Sequence, residues 1–146
     1  MNIKVVLNML GRVSVVLGVL FLLPLAVSLG YGEKIWWTYV VSLCVCEAVG
    51  LPLAFALKPD NKSVYSKEGL VVVSLAWIYV SVAGTMPLLL SGATTSFVDA
   101  LFEMVSGFTT TGATIFRGEQ IDAINQTMPS IHLWRCFSHW VGGMGI

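Results

Sequence analysis

The stretch Ser96-Phe97-Val98-Asp99-Ala100-Leu101-Phe102-Glu103-Met104-Val105-Ser106-Gly107-Phe108, followed at once by Thr109-Thr110-Thr111-Gly112-Ala113-Thr114, decides the fold. Residues 96–108 are helical in composition, and Ser96 with Asp99 three positions on reads as a capping box. At ~1.5 Å per residue such a helix reaches only about 20 Å, too short for the ~30 Å hydrocarbon core of a bilayer. It therefore lies in the interface, or dips in and returns. The Thr/Gly segment favours the second arrangement, its competing reading being an ordinary extracellular turn rich in small polar residues. Extended backbone at membrane depth needs protein or water over it, and a row of carbonyls replacing a cation's hydration shell is one structure that requires it. Gly112, lacking a Cβ, can turn successive carbonyls to one side, and the Thr hydroxyls can add oxygen ligands. The partly negative C-terminal end of the half-helix would favour a cation there.

Outward from this segment, three apolar runs precede it, over 13–31, 35–57 and 69–90, each long enough to span. The first also fits a signal peptide, with Lys4 and Arg12 ahead of it and Ala26-Val27-Ser28 near its end. The second opens on Trp36, Trp37 and Tyr39, an interfacial aromatic cluster, and the third carries Pro87 where a membrane helix tolerates a kink. Of the 146 residues 56% are hydrophobic and 11% charged, with a mean hydropathy of +0.83, which excludes an ordinary soluble domain. Eight basic residues balance eight acidic ones, so no basic face exists for nucleic acid. The three cysteines, Cys44, Cys46 and Cys136, form neither a disulfide framework nor a thiolate zinc set. Lys4, Arg12, Lys58, Lys62 and Lys67 fall on one side of the membrane, and Lys34, Arg117 and Arg135 on the other. The positive-inside rule then puts the N-terminus and the 58–68 loop in the cytoplasm.

The residues from Asp99 through Glu103 to Ser106-Gly107-Phe108-Thr109-Thr110-Thr111-Gly112-Ala113-Thr114, with Trp140-Val141-Gly142-Gly143-Met144-Gly145-Ile146, resemble the first pore repeat of the Trk/Ktr/HKT potassium transporters. Two extra leading helices make the TrkH branch the nearest likeness. The resemblance implies four repeats of helix, pore half-helix and helix around a potassium pathway, with one filter glycine per repeat. Gly112 is then the filter glycine, with Thr110, Thr111, Ala113 and Thr114 as its filter neighbours. It also implies a homodimer and a cytosolic nucleotide-binding regulatory subunit.

The expected architecture is an all-α polytopic membrane protein in two parts. Residues 1–68 hold two leading transmembrane helices and a cytoplasmic loop. Residues 69–146 hold an incomplete pore repeat: helix 69–90, pore half-helix 96–108, filter strand 109–114, and the start of a second helix over 130–146. The chain reads as the N-terminal piece of a longer plasma (inner) membrane transporter that takes up potassium, its other repeats supplying the remaining filter segments. No cofactor, no enzymatic activity and no nucleic-acid partner are expected; membrane lipid and the transported K+ are. A small membrane-anchoring or assembly subunit is the alternative, and an intramembrane enzyme using Glu47, Asp99 or His139 a more remote one. Asp99 and Glu103 share a helix face, and either line a cation vestibule or support the pore helix. Glu47, mid-span, is expected to form a hydrogen bond between helices. His132, Cys136 and His139 lie near one face, but Arg135 among them opposes a cation, so no transition-metal site is expected. Arg135 instead reaches the outer interface or pairs with a pore-helix carboxylate. Gly92-Ala93-Thr94 echoes the filter motif but precedes the half-helix, and reads as a loop.

Overall fold

The computed structural model describes residues 3–56 and 66–144. Among these the protein is all-α: α1 (Ile3–Leu20), α2 (Leu22–Gly30), α3 (Trp36–Ala56), α4 (Ser66–Gly84), α5 (Met86–Leu90), α6 (Phe97–Phe108), α7 (Gly118–Thr127) and α8 (Pro129–Met144). Three stretches are long and apolar enough to cross a membrane: Ile3–Gly30, Trp36–Ala56 and Lys67–Leu90. Most of the 58–68 loop and residues 145–146 of the last predicted helix lie outside the described residues.

The first span starts ten residues before the apolar run that marks it, because its polar early turns have partners on α3. Asn8 is buried and its amide donates to the Ala54 carbonyl at 2.6 Å. Gly11 sits where a Cβ would lie 2.6 Å from the Ala54 nitrogen, and Gly50 where one would lie 2.9 Å from the Gly11 carbonyl oxygen. Between lipid tails no hydrophobic gain drives two apolar helices together, so close approach of small residues and shared hydrogen bonds must do it. Ser14 completes the joint, donating to the Cys46 carbonyl at 2.7 Å and meeting the Tyr79 hydroxyl of α4.

Two spans bend where proline removes a backbone donor. The break at Phe21 precedes Pro24, and the break at Thr85 precedes Pro87. Near these bends the buried core gathers Phe21, Leu88, Met104, Phe108, Ile131 and Trp134. Trp134 is fully enclosed; its indole donates to the Gly84 carbonyl at 3.1 Å and its ring centroid lies 4.6 Å from that of Phe21.

Glu47 departs from expectation. It is half-buried beside α1, its Oε1 2.5 Å from where a Gly18 Cβ would stand, and among the described residues its carboxylate accepts no hydrogen bond. The missing side chain at Gly18 makes room for it. The polar stretch 117–126 is mostly helix α7, which buries Ile124.

The α1–α3 crossing yields a stability test. Gly50→Ala should destabilise the protein by about 1–3 kcal/mol through overpacking. Gly69→Ala, on α4 with nothing within 4 Å, should be neutral or stabilising by about 0.5–1 kcal/mol. Thermal midpoints in detergent read both, and equal shifts would contradict the close crossing.

Candidate functional site

Helix α6 is amphipathic, capped at one end and tightly seated on α8. Ser96 Oγ accepts from the Asp99 N–H at 3.4 Å, so one arm of the expected capping box forms. The other does not, because the Ser96 N–H is taken by Thr94 Oγ1 at 3.3 Å. Small residues set the depth of the seat. A Cβ on Gly107 would overlap Ser138 Oγ, and one on Gly142 would stand 2.7 Å from the Phe108 carbonyl carbon. Gly142 is thus a close-packing residue, whereas Gly143 has room. Phe108, the last residue of α6, lines a cavity with Leu17 and Val80, beside the middle of the first and third spans.

Beyond Phe108 the chain turns back through a tight helix end. Thr110 N–H donates to the Gly107 carbonyl and Thr111 N–H to the Ser106 carbonyl, both at 2.9 Å, a Schellman arrangement with Thr110 at the left-handed position. Thr110 has φ +57°, where a β-branched residue is an outlier. The ends of α2 and α5 use Gly32 (φ +67°) and Gly92 (φ +76°) for the same purpose. Two residues further, Gly112 has φ +77°, and a Cβ there would meet nothing within 4 Å, so its backbone and not its space demands glycine. The segment has no strand partner among the described residues, so the expected filter strand is an irregular segment with φ inverted at alternate residues 110 and 112.

Its far end is held by one buried carboxylate. Glu103 Oε1 accepts from the Thr114 hydroxyl at 2.6 Å and the Ile115 N–H at 2.7 Å, and Oε2 accepts from Arg135 Nε at 2.9 Å. Arg135 Nη2 also donates to Thr114 Oγ1 at 2.9 Å, and its guanidinium lies 4.8 Å from the Phe116 ring centroid. Ser106 holds the residues just before that end: its carbonyl accepts from the Thr111 N–H at 2.9 Å and its hydroxyl donates to the Ala113 carbonyl at 2.6 Å.

These bonds sort the sequence-predicted residues. Ala113 turns its carbonyl to α6, and Thr114 Oγ1 accepts from both Arg135 and the Phe116 N–H, so neither offers that oxygen to an ion. Among the described residues the carbonyls of Thr110, Thr111 and Gly112 accept no hydrogen bond. Glu103 pairs with the donors around it. Asp99, one turn earlier, instead lines a polar cavity of about 460 Å³ with Thr94, Thr95 and Gln120. Arg135 pairs with the Glu103 carboxylate of α6. His132 and Cys136 meet at 3.6 Å while His139 turns to the Arg135 carbonyl, so no three-ligand cluster forms among the described residues. Ser106 is not legible in the sequence as a site residue.

Three membrane-length helices, with a half-length helix and its braced return segment, define a multi-pass helical membrane protein. The TrkH family model, described as a cation transport protein, matches residues 34–146, and the chain belongs to that family. It is 34% identical over 145 residues to an uncharacterized cation transporter of Methanocaldococcus jannaschii, covering 99% of this chain and 29% of that protein. It is 31% identical to the Trk system potassium uptake protein TrkH of Halomonas elongata, covering 100% of this chain and 30% of the relative. The crystal structure of the potassium transporter TrkH from Vibrio parahaemolyticus superposes with a TM-score of 0.89 at 29% identity, over 100% of this chain and 30% of that one. The chain thus spans about three tenths of the length of these relatives.

The carboxylate brace is open to a double-mutant cycle. Glu103→Ala leaves the Arg135 charge and the Ile115 N–H without their partner, and Arg135→Ala leaves a buried carboxylate. Each should cost about 3–5 kcal/mol, and the double variant clearly less than the sum. Additive losses in unfolding measurements would show that the two side chains are not coupled.

Proposed function

We propose that this chain supplies one of four filter segments of a potassium uptake transporter in the plasma (inner) membrane, with its N-terminus in the cytoplasm. Residues 1–68 form the leading helix pair and residues 69–146 the first pore repeat. The other repeats come from the remaining length seen in the relatives. The observation that carries this reading is the row of three consecutive carbonyls, at Thr110, Thr111 and Gly112, without acceptor duty at the inner end of a half-length helix. In a bilayer each unsatisfied carbonyl costs several kcal/mol, so water or a cation must face them. The positive φ at Thr110 and Gly112 supports this reading, because turning successive carbonyls to one side requires backbone of alternating handedness. Two of the relatives named above are potassium uptake or transport proteins. A second copy and a cytosolic nucleotide-binding subunit as partners follow from the family resemblance.

Two experiments on the full-length transporter test this reading. Gly112→Ser forces a side chain onto a left-handed backbone, at a cost of roughly 1–2 kcal/mol. It should weaken the preference for potassium over sodium in rubidium uptake, normalised to protein in the membrane. Gly118→Ser, at an open position with ordinary backbone, should leave uptake unchanged. Gly92→Ser is a poor control because Gly92 shares the left-handed backbone. Unaltered selectivity in Gly112→Ser would remove the filter reading.

Orientation is tested by labelling single cysteines in a background lacking Cys44, Cys46 and Cys136. A membrane-impermeant thiol reagent should reach Glu119→Cys in intact cells and Lys67→Cys only after permeabilisation. The opposite pattern would invert the topology.

A further inference from the structure

Helix α8 begins without a cap of its own. Pro129 has no N–H, and Met128 before it carries no side-chain oxygen, so the first donor of the helix, the Ser130 N–H, needs an acceptor from elsewhere. That acceptor is Glu33, 97 residues earlier, in the turn between α2 and α3. Its Oε1 accepts from the Ser130 N–H at 2.9 Å and its Oε2 from the Ser130 hydroxyl. Tyr39, fully buried on α3, donates its hydroxyl to Ser130 Oγ at 3.0 Å. The turn is shaped for this contact. Gly32, at φ +67°, ends α2 in a Schellman motif, with the Gly32 N–H on Leu29 and the Glu33 N–H on Ser28. A carboxylate at this position also complements the positive end of the α8 dipole.

We infer that Glu33 is a positioning residue for the filter segment, acting through α8. Arg135 lies five residues beyond Ser130, about 7–8 Å along the same helix, and binds both Glu103 and Thr114. A shift or rotation at the start of α8 is carried to that guanidinium, and from it to the end of the return segment. The leading helix pair thus sets the pore geometry from outside the repeat that contains it. This inference rests on the filter reading of residues 109–114.

The test uses the full-length transporter in cells without other potassium uptake, reading rubidium uptake against competing sodium at equal membrane abundance. Glu33→Ala should raise the rubidium KM or lower the potassium-over-sodium preference by about fivefold, the scale of one lost hydrogen bond. Glu33→Gln, which keeps an acceptor oxygen, should fall between it and the parent. Unchanged KM and selectivity in Glu33→Ala overturn the inference. Should Glu33→Ala fail to reach the membrane, the pair Glu33→Cys with Ser130→Cys, in the background without native cysteines, replaces it. Oxidised, the pair should transport like the parent, and reduction should reversibly weaken selectivity; selectivity independent of the disulfide overturns the inference equally. Gly112→Ser is measured in parallel. An effect of Gly112→Ser without one of Glu33→Ala rejects the Glu33 role alone, and no effect of either rejects the filter reading with it.

Discussion

The carboxylate of Glu103 is the point on which the return segment depends. A buried charge in a low-dielectric interior survives only when its lone pairs are matched by donors, and here three different kinds supply them: a hydroxyl, a backbone N–H and a guanidinium. An amide in its place would keep one acceptor oxygen and lose the second. The arrangement ties three parts of the chain, α6, the segment after it and α8, to one side chain 4% exposed. Ser106 adds neutral bonds to the residues just before, at Thr111 and Ala113. With the segment so fixed, the chain holds Thr110 in a conformation costing roughly 1–3 kcal/mol, which persists only because its surroundings over-determine it.

Small residues make that bracing reach its target. Gly107 and Gly142 bring α6 and α8 to near backbone contact, so that Arg135 meets Glu103 directly and not through water. The same device recurs between α1 and α3, where Gly11, Gly18 and Gly50 remove the side chains that would keep the helices apart. Helices in a lipid environment associate through packing and hydrogen bonds, and both crossings use the two together. The difference lies in what the closeness serves: at α1–α3 it holds the leading pair, and at α6–α8 it holds a strained loop.

Hydropathy made the three spans and the half-helix legible, because apolar length against bilayer thickness is a strong local signal. The early start of α1 was hidden, since Asn8 is polar and owes its helical place to the Ala54 carbonyl on another helix. Helix α7 was read as a polar return because its burial rests on Ile124 with little else. The threonine at the left-handed end of α6 had no signal, as local propensity argues for glycine there. For Arg135 the sequence leaves two outcomes open, an interfacial position or a carboxylate partner on the half-helix, and the structure shows the pairing with Glu103. The Glu33 contact was not anticipated, because nothing near residue 33 announces a helix start 97 positions away. Among the described residues the expected interhelical bond of Glu47 is absent, and the space at Gly18 accommodates its carboxylate.

The long reach from Glu33 to Ser130 has a consequence for biogenesis. At roughly 5–20 residues per second, translation delivers Ser130 about 5–20 s after Glu33 has left the ribosome. Through that interval the turn between α2 and α3 is unengaged, and Glu103 likewise waits for Arg135. Helix α6 is made early, but the segment after it acquires its final shape only when α8 arrives. Assembly of this region is therefore ordered by synthesis, with the later-made helix α8 closing contacts that the earlier helices left open.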